Sequence, residues 1–597
     1  MTRVPSPGSA PSPAASPSDG RDPAAWQSLH LALHSGGADA DAFVTEALAP
    51  LLDGVTAAPG AGWFFIRHGE GGPHLRIRHR GPGTPAAADL GVELTRLAGG
   101  FAALEGPWPQ PHGTVTAVPY RPETERYGGP AALPVAEELF QWSTGTAVEA
   151  LRAVPGRDGR LALALDLAWA TAHGLGLDGR AGSGWLRRHA ASWRWVTDPE
   201  PLPGSAVHTR VNQVFAGQRR RLAARADGLR AALADGGAAP WLAGWAERVA
   251  AAHARLDPLV PGTDGAPRSE ADPERADRLL WVWASQLHML FNRLGVTPDE
   301  ERAVCRLAAR ALLEPGGADG PSAGGTAGGD GRGFFPSGPG AADLRYLEES
   351  KFLIGRPEDG ALRELPAPRP PSARRLAAEL PLSADPLPDL TLAEAFRLRR
   401  SARGPLTGPL AARTLGGLLW SAYARSHDSR RELPDGSVRT SHHRPYPSAG
   451  AAYSVRVRLV ALGVDGLAPG TYACVPERRS LLPVGPPPAL AELKALSSYL
   501  SRPAGDPDGV GIDGAPAVLA VHLDLGLLRR RYGLRALRLG LLEAGHLTQA
   551  LLLTAGAFGV ATLPLGGVQD DLAHEVLGLD DLEEPVQYLL PLGLAGA

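Results

Sequence analysis

The sequence contains little cysteine, little lysine and no long hydrophobic run. Its two cysteines, Cys305 and Cys474, are far apart and form no CxxC pair, which argues against a disulfide framework and against a cysteine-bound zinc site. A membrane-spanning helix needs about 18 consecutive apolar residues, and no such run is present. The net charge of −3 provides no basic field for nucleic acid. We therefore expect a cytoplasmic protein that has no membrane span and no direct contact with nucleic acid.

The length and the low-complexity segments predict two folded domains. A chain of 597 residues has room for about two to four domains, each with its own core. Residues 1–21 are rich in serine and proline and have no apolar stretch, so we expect a disordered tail. Residues 315–342 are rich in glycine and predict a flexible linker. The predicted domains are residues 22–314 and 343–597.

Two strands joined by a Gly-Gly turn are predicted for WFFIRHGEGGPHLRIRHR, residues 63–80. Because side chains alternate along a strand, His74, Arg76 and Arg78 should share one face with Arg80, while Leu75 and Ile77 point the other way. If the basic face lines a cleft, it is a strong anion site. If it faces solvent, it is only a charged surface.

Two further segments carry polar side chains at informative spacings. In YRPETERYGG, residues 120–129, Glu123 and Arg126 are three apart, which permits an ion pair or merely a surface contact worth under about 1 kcal/mol. The helix predicted over residues 277–295 places Trp281, Ser285, His288 and Asn292 on one face. A lone helical histidine is often structural, but one on a half-polar face is suited to proton transfer.

These segments together resemble a known family. WFFIR with GPHLRIR, then ExxRYGG, then LHMLFNRLG are similar, in order and spacing, to the thiopeptide-type bacteriocin biosynthesis domain. That domain is also the C-terminal glutamate-elimination domain of lantibiotic dehydratases. The resemblance covers nearly all of residues 22–314. It implies an α+β domain that removes glutamate from a glutamylated Ser or Thr of a peptide and leaves dehydroalanine or dehydrobutyrine.

The resemblance also implies which residues act. They are Arg67, Arg76, Arg78, Glu123, Arg126 and His288. The Cα proton of a peptide serine is weakly acidic, so elimination needs a proton-transfer group, here the histidine. Guanidinium groups bind carboxylates bidentately, so the strand arginines would hold the glutamyl group. Glu123 would hold Arg126 in place. The alternative for this half is the formal [4+2] cyclisation that closes a thiopeptide pyridine ring, which one member of the superfamily catalyses.

The second half contains a basic cluster and a glycine-interrupted apolar stretch. A helix is predicted to end near RRSAR, residues 399–403, whose arginines around a serine suit a phosphate, although such clusters arise by chance in an arginine-rich chain. Residues 529–567 have no proline before Pro564 and almost no polar face, with Leu541 and Phe558 among the apolar residues, so we expect a helix buried on most sides. Its glycines are Gly540, Gly545, Gly556 and Gly559. They favour close packing against a backbone or a flat ligand, and the alternative is an ordinary core helix.

The sequence of the second half also predicts several strands and turns. PSAG, residues 447–450, predicts a turn, and the alternation in the following AYSVRVRLV predicts a half-buried strand. Residues 466–484 predict a hairpin, and the apolar run over 515–525 predicts a buried strand. RRSxR, PSAG, PGTY, EAGHLTQALLL and PLGG occur in this order and resemble the nitroreductase-like flavoenzymes. More narrowly, they resemble the SagB-type azoline dehydrogenases of ribosomal peptide biosynthesis.

This second resemblance covers about residues 343–597 and implies FMN. The residues that it assigns to FMN are Arg399, Arg400, Ser401, Arg403, Pro447, Ser448, Leu565, Gly566 and Gly567. The first three would hold the phosphate, Arg403 would lie near the pyrimidine edge, and the Gly-Gly backbone would meet the N5 edge. Such enzymes are dimers with FMN at the subunit interface, so a homodimer through this domain is implied.

One position departs from that family. Its members commonly carry a Lys-Tyr pair where this chain has Arg531-Tyr532. Arginine stays protonated and cannot serve as a general base. We therefore expect Tyr532 to act as the base if the positive charge of Arg531 lowers its pKa.

The two halves together predict a bifunctional enzyme of two α+β domains, similar to the fused elimination and dehydrogenase enzymes of thiopeptide pathways. Its partners would be a ribosomal precursor peptide, a separate tRNA-dependent glutamylating enzyme and a cyclodehydratase. The large glutamylating domain of full-length dehydratases does not occur in the sequence, so we expect the glutamylated peptide to come from a partner. A further alternative is a non-catalytic flavin-fold scaffold that recruits peptide and enzymes.

Overall fold

The computed structural model describes most of both predicted domains. The described residues are 25–81, 87–154, 156–177, 179–193, 201–260, 273–314, 346, 379–432, 435–502, 506 and 509–595. The predicted tail at 1–21, the predicted linker at 315–342 and the proline-rich segment at 365–373 lie outside them.

The chain forms two compact units whose bounds differ from those of the predicted domains. Residues 1–167 and 238–297 form the first unit, and residues 168–237 and 298–597 form the second. The two divisions differ over residues 168–237 and 298–314, which precede the predicted linker but group with the residues after it.

A four-stranded antiparallel sheet with strand order β2-β3-β1-β4 is the base of the first unit. Its strands are β1 (Gln27–Ala32), β2 (Gly62–His68), β3 (His74–Arg80) and β4 (Val115–Ala117). The predicted hairpin at 63–80 is confirmed, because β2 pairs with β3. Leu75 and Ile77 are buried in the core beneath β3, on the side opposite the basic residues, as the alternation predicts.

Helices fill the rest of the chain before the predicted linker. In chain order they are α1 (Gly37–Ala42), which continues through a π-helical turn (Phe43–Leu48) into α2 (Ala49–Val55), then α3 (Ala87–Ala98), a 3₁₀ turn (Thr124–Tyr127), α4 (Leu133–Ala153), α5 (Arg157–Gly174), α6 (Gly179–Ser192), α7 (Gly204–Ala234), α8 (Pro240–Leu256), α9 (Pro273–Leu294) and α10 (Pro298–Ala311). The predicted end of the 277–295 helix is confirmed, because Gly295 adopts φ +73° directly after α9, a conformation that glycine adopts without strain.

The second unit is built on a nine-stranded sheet and a separate hairpin. The strands of the unit are β5 (Leu380–Pro381), β6 (Gly404–Thr407), β7 (His427–Glu432), β8 (Val438–His443), β9 (Val455–Ala461), β10 (Gly470–Val475), β11 (Ser480–Gly485), β12 (Val510–Gly511), β13 (Ala517–Leu523), β14 (Ala561–Thr562) and β15 (Val586–Ala595). The order in the large sheet is β12-β6-β15-β13-β9-β10-β11-β5, with β14 on β15, and β7 pairs only with β8 among the described strands. The predicted hairpin at 466–484 is β10 with β11.

The helices of the C-terminal region cover this sheet. They are α11 (Leu392–Leu398), α12 (Ala412–Tyr423), a 3₁₀ turn (Ala449–Ala451), α13 (Leu490–Ala495), α14 (Leu525–Tyr532), α15 (Arg535–Ala557) and α16 (Asp570–Leu577). None of the described helices is long and apolar enough to cross a membrane. Both cysteines are buried and unbonded.

The sheet of the second unit is buried on both faces. Leu519 and Val521 of β13 lie in one hydrophobic cluster, whereas Val518 and Ala520 lie in another. The prediction that the strand around residues 452–460 is half-buried is therefore wrong. That strand, β9, lies between β13 and β10, and even Arg458 is buried within it.

The predicted helix at 529–567 is broken and more exposed than expected. Gly533 ends α14 with φ +52°, and α15 begins at Arg535. Leu541, predicted to be buried, is 45% exposed, because the face of α15 that it shares with Gly545 has no covering element within the described part of the chain.

One of the four glycines in this stretch allows close packing. An added Cβ at Gly540 would lie 2.9 Å from Leu523, whereas one at Gly556 would lie 3.5–3.6 Å from Leu398 and Arg399, an ordinary contact distance. Gly559 follows α15 with φ +67°, so it serves the helix end. Space near Gly545 is open.

Candidate active sites

The basic face of β3 is not a fully solvent-exposed surface, since His74, Arg76 and Arg80 are half-buried and Arg78 is buried. Arg78 pairs across the sheet with Ser28 on β1 and Phe64 on β2, and only 8% of the residue is exposed. Its Nε and Nη1 atoms have no hydrogen-bond partner in the described part of the chain. Burial, reinforced by the charge of Arg76, lowers the pKa of Arg78 to about 10. A buried guanidinium without a counter-ion is a costly arrangement that favours an anionic ligand.

Two other arginines of this sheet, Arg67 on β2 and Arg80 on β3, already lie beside carboxylates. Arg67 donates to Asp41 Oδ1 at 2.7 Å, and Arg80 lies 3.8 Å from a Glu137 oxygen. Arg80 also lies over the ring of Trp26, 4.4 Å from its centroid. Of the arginines predicted to bind glutamate, Arg76 and Arg78 are therefore better suited than Arg67.

The polar face of α9 meets two of the predicted sites. Ser285 accepts a hydrogen bond from Arg126 Nε at 3.2 Å. Further along the helix, Asn292 exchanges two hydrogen bonds of 2.8 Å with the backbone of Arg67. His288 lies between these two residues on the same face. The structure thus brings the predicted proton-transfer residue, Arg126 and the end of β2 to one side of this helix.

Glu123 connects this group to β3. Its Oε2 accepts from Arg126 Nη1 at 2.9 Å, which is the predicted pair. Burial lowers the pKa of Arg76, and the carboxylates of Glu70 and Glu123 oppose that shift. Glu123 therefore acts electrostatically on both Arg76 and Arg126.

Sequence reasoning missed Arg293, although it lies in the quoted LHMLFNRLG segment. It is fully buried, donates from Nε to Thr144 Oγ1 at 3.1 Å, and leaves Nη1 and Nη2 without partners among the described residues. Burial lowers its pKa to about 9, and the charge of Arg78 adds to that effect. A second unpaired guanidinium near Arg78 strengthens the attraction for an anion.

Three histidines lie beside the arginines on the basic face of β3. The ring centroid of His74 on β3 lies 5.3 Å from that of His30 on β1 and 5.1 Å from that of His68 on β2. Burial and the neighbouring arginines lower the pKa of His30 and of His68 to about 4, so both rings are neutral at pH 7. The described residues contain no cluster of three or more side chains that could hold a metal ion.

In the second unit, the predicted cofactor turn is fixed by a buried carboxylate that sequence reasoning also missed. Glu543 on α15 is 1% exposed. It accepts hydrogen bonds from Ser448 Oγ at 2.7 Å, Ser454 Oγ at 3.0 Å and the Val455 amide at 3.1 Å. The only signal in the sequence was a carboxylate inside an apolar helix. The Ser448 hydroxyl therefore points toward α15 and binds Glu543. The neighbouring Pro447 carbonyl accepts a hydrogen bond from the His546 ring at 3.3 Å.

Arg531 and Tyr532 meet this turn at Gly450. An added Cβ at Gly450 would lie 2.5 Å from the Tyr532 hydroxyl and 2.8 Å from Arg531 Nη1, and its φ is +57°. Arg531 Nη1 donates to the Gly450 carbonyl at 3.4 Å. The predicted catalytic pair and the predicted cofactor turn are therefore neighbours, and only glycine fits between them.

The RRSAR cluster lies beside the segment that leads to the Gly-Gly turn. The Ala402 amide donates to the Thr562 carbonyl at 2.9 Å, and Ser401 forms an isolated bridge with Thr562. Leu565 exchanges two 2.9 Å backbone hydrogen bonds with Leu589, and the exposed Gly566 and Gly567 come next in the chain.

This arrangement fits FMN. Arg399, Arg400 and Arg403 form no ion pair with a carboxylate within the described ranges, so three guanidiniums around Ser401 are available for a phosphate. Arg531 Nε is buried without a hydrogen-bond partner in the described chain.

Comparison with known proteins divides the chain between two families. The lantibiotic biosynthesis dehydratase C-terminal model matches residues 26–312, and the nitroreductase family model matches residues 397–594.

Two curated relatives match the C-terminal region. A protein of Methanocaldococcus jannaschii assigned to the nitroreductases is 29% identical over 215 residues, which are 35% of this chain and 94% of that protein. The microcin B17-processing protein McbC of Escherichia coli is 31% identical over 176 residues, which are 29% of this chain. The match spans 57% of McbC, a little over half its length.

Solved structures overlap the chain with low scores. The tRNA-dependent lantibiotic dehydratase MibB from Microbispora sp. 107891 is 24% identical, with 50% of this chain and 28% of that chain covered and a TM-score of 0.35. The pyridine synthase TbtD from thiomuracin biosynthesis is 21% identical, with 48% and 97% covered and a TM-score of 0.35. Neither overlap bears on activity. On the two family models, the chain carries a lantibiotic dehydratase C-terminal domain followed by a nitroreductase-family domain.

Proposed function

We propose that the first family domain eliminates glutamate from glutamylated Ser or Thr residues of a ribosomal precursor peptide. The observation that carries this proposal is the pair of neighbouring arginines on β3, a half-buried Arg76 and a buried Arg78, of which Arg78 lacks a counter-ion in the described structure. A glutamyl ester presents a free carboxylate, and guanidinium groups bind carboxylates through two parallel hydrogen bonds. The match to the dehydratase model supports the same reaction class.

The remaining residues would handle the proton and the developing charge. His288 would take the Cα proton of the esterified residue, the C–O bond to the glutamyl carboxylate would break, and glutamate would leave as the anion. Arg126, held by Glu123 and Ser285, would stabilise charge on the peptide carbonyl as the Cα–H bond breaks. A tRNA-dependent partner enzyme would supply the glutamylated peptide.

A synthetic glutamylated peptide tests this proposal. The wild-type protein should release glutamate and leave dehydroalanine or dehydrobutyrine, so mass spectrometry should show that the peptide has lost one whole glutamic acid molecule; a product that regains the Ser or Thr hydroxyl would indicate ester hydrolysis instead. His288→Phe should abolish that release, and full elimination by His288→Phe would remove His288 from the role. Pyridine formation is the alternative, and it predicts that a peptide with two dehydroalanines is cyclised while a glutamylated peptide is left unchanged.

We propose that the second family domain oxidises thiazolines or oxazolines of the same peptide to azoles with FMN. The observations that support it are the arginines around Ser401 without carboxylate partners in the described chain and the contact of Arg531 and Tyr532 with Gly450. Nitroreductase-family membership supports an oxidoreductase that binds FMN, and McbC, a relative, processes a microcin peptide. FMN, when bound, would supply the two-electron acceptor. Tyr532 would take the ring proton, and the Gly566–Gly567 backbone would face the cofactor.

The absorbance spectrum of the purified protein is the first test. A yellow protein that releases one FMN per chain is expected, and a colourless protein that cannot be reconstituted with FMN would overturn the dehydrogenase proposal. Tyr532→Phe should keep FMN and lose azoline oxidation. If the oxidation rate is unchanged, Tyr532 is not the base.

Partners and location are inferred from these activities. A cyclodehydratase would make the azolines. Two copies of the chain would pair through the exposed face of α15, where Leu542 is 61% exposed.

The buried, unbonded cysteines fit the cytosolic location that we expect. A non-catalytic scaffold is the alternative, and it predicts that neither FMN nor glutamate release is observed.

A further inference from the structure

Three helices of the dehydratase-matched region carry a row of basic side chains toward the C-terminal region. We name this row the basic helical surface, and its members are Arg180, Arg187 and Arg188 on α6, His208 on α7, and Arg302 and Arg306 on α10. All six lie within residues 26–312, and all six belong to the second compact unit.

The partner of this surface is an acidic segment of the nitroreductase-matched region. Residues 570–584 have the sequence DDLAHEVLGLDDLEE and contain seven carboxylates and no lysine or arginine. They form α16 and the loop after it, within the matched range 397–594 and in the same compact unit.

Glu575 is at the centre of the contact. It is 5% exposed and accepts from His208 Nε2 at 2.8 Å and from Arg302 Nη2 at 3.1 Å, and it also pairs with Arg306. Although burial opposes ionisation, the hydrogen bond from His208 and the charges of Arg306 and Arg302 lower the pKa of Glu575 to about 2. Glu575 is therefore the common acceptor for three buried side chains that come from two other helices.

Further pairs extend the contact on both sides. Arg187 pairs with Asp581 and lies 3.6 Å from Asp571, and Arg188 lies 2.8 Å from Asp580. At the rim, Arg180 pairs with Glu583, and both side chains are about half exposed.

Close backbone approach accompanies the charges. An added Cβ at Gly204, the first residue of α7, would lie 3.1 Å from Leu572 and 3.2 Å from a Glu575 oxygen. The contact thus combines buried ion pairs with a tight fit between helices.

We propose that the basic helical surface is a docking site for the acidic segment and holds the two family domains together without the chain that joins them. A glycine-rich linker is expected to leave domains free to separate, whereas a buried, charge-complementary contact fixes one partner and its orientation. The helices α6, α7 and α10 would then be a structural part of the dehydrogenase half, although the dehydratase model includes them.

Cleavage of the folded full-length protein tests the proposal. A specific protease site is inserted within residues 315–342, the purified protein is cut, and the fragments are followed by analytical ultracentrifugation at micromolar concentration. We expect the fragments to sediment together and to keep their circular dichroism. Fragments that separate while both stay folded would overturn the proposal.

Substitutions identify the contact that holds the fragments. Glu575→Gln leaves the buried arginines without a full counter-charge, and we expect the dissociation constant of the cut protein to rise at least about 100-fold. Glu583→Gln, in the exposed pair, is the matched control and should change it by less than about threefold.

A reciprocal exchange covers the case in which Glu575→Gln does not fold. Arg187→Asp and Asp581→Arg should each weaken the association, and the double variant should restore it. If none of these substitutions changes the dissociation constant of the cut protein, the contact that holds the fragments lies elsewhere and the docking site is refuted.

Discussion

At the scale of single residues, burial separates arginines that look alike in the sequence. Arg78 and Arg80 are two positions apart on the same face of β3, yet only Arg80 has both a carboxylate and a tryptophan ring beside it. Arg78 is more deeply buried and its guanidinium is not satisfied by the described residues. Such a group is stabilised by a ligand, and its charge is therefore available for binding.

This difference predicts unequal effects of the same substitution. Arg78→Lys keeps the charge but loses the planar donor pair, so we expect kcat/KM for glutamate elimination to fall about 10- to 100-fold. Arg80→Lys is the matched control and should retain activity within about threefold. Release of glutamate from a glutamylated peptide measures both, and equal losses in the two variants would contradict a special role for Arg78.

Glu543 permits a prediction about stability. Glu543→Ala would leave the Ser448 and Ser454 hydroxyls and the Val455 amide without their acceptor. We expect the free energy of unfolding of the second unit to fall by about 2–5 kcal/mol and FMN to bind less tightly, because the 447–450 turn loses its anchor. Thermal unfolding and FMN titration measure these effects. Asp513→Ala, at an exposed carboxylate, is the control, and an equal loss there would contradict the anchoring role.

At the scale of elements, alternation and turn signals predicted most of the structure that carries the sites. The β2–β3 hairpin, the end of α9 at Gly295 and the buried β13 are all as expected, because each is set by local sequence. The predictions that failed depend on tertiary neighbours. The exposure of Leu541 and the two-sided burial of β9 are decided by which elements lie alongside. The pairing of Arg67 with Asp41 joins residues from different elements, so no local pattern could show it.

The histidines on β1 and β2 predict a pH dependence. In the unfolded chain His30 and His68 take up protons as the pH falls through about 6.5, whereas in the folded protein they do so only near 4. The unfolded state then binds more protons, so the stability of the first unit should fall between pH 6.5 and 4.

Unfolding curves at pH 7 and pH 5 measure this loss. The double variant His30→Gln, His68→Gln should show a smaller drop than the wild type, and His173→Gln, at an exposed position, should not. Glu575 cannot account for the drop, because its lowered pKa places its contribution below about pH 4.5. An unchanged slope in the double variant would contradict the assignment.

The open face of α15 predicts the oligomeric state. Leu541, Leu542 and Gly545 lie together on it and have no covering element in the described chain. If two copies pair there, Leu542→Arg should convert a dimer to a monomer in sedimentation and weaken FMN binding. Leu104→Arg, at another exposed leucine, should leave the dimer intact. A wild-type monomer that holds FMN tightly would contradict the pairing.

At the scale of the whole molecule, the division into compact units could not be predicted from composition. The glycine-rich segment marks where the chain joins its halves, but the helices α6, α7 and α10 pack with the residues C-terminal to it. Charges that match only in three dimensions, such as Arg187 with Asp581, join these helices to the C-terminal residues. Arg187 and Asp581 are nearly four hundred residues apart in the sequence, and no sequence pattern relates their positions.

The two proposed sites use different residues in different compact units, which predicts that each can be removed alone. His288→Phe should abolish glutamate elimination and leave azoline oxidation within about twofold of wild type, because His288 belongs to the first unit and the cofactor turn to the second. Tyr532→Phe should do the reverse. Both reactions are measured by mass spectrometry on the same protein preparations, with elimination read on a glutamylated peptide and oxidation on an azoline peptide. If either substitution removes both activities in a protein that is folded and contains FMN, the two sites are coupled and the proposal of independent reactions is wrong.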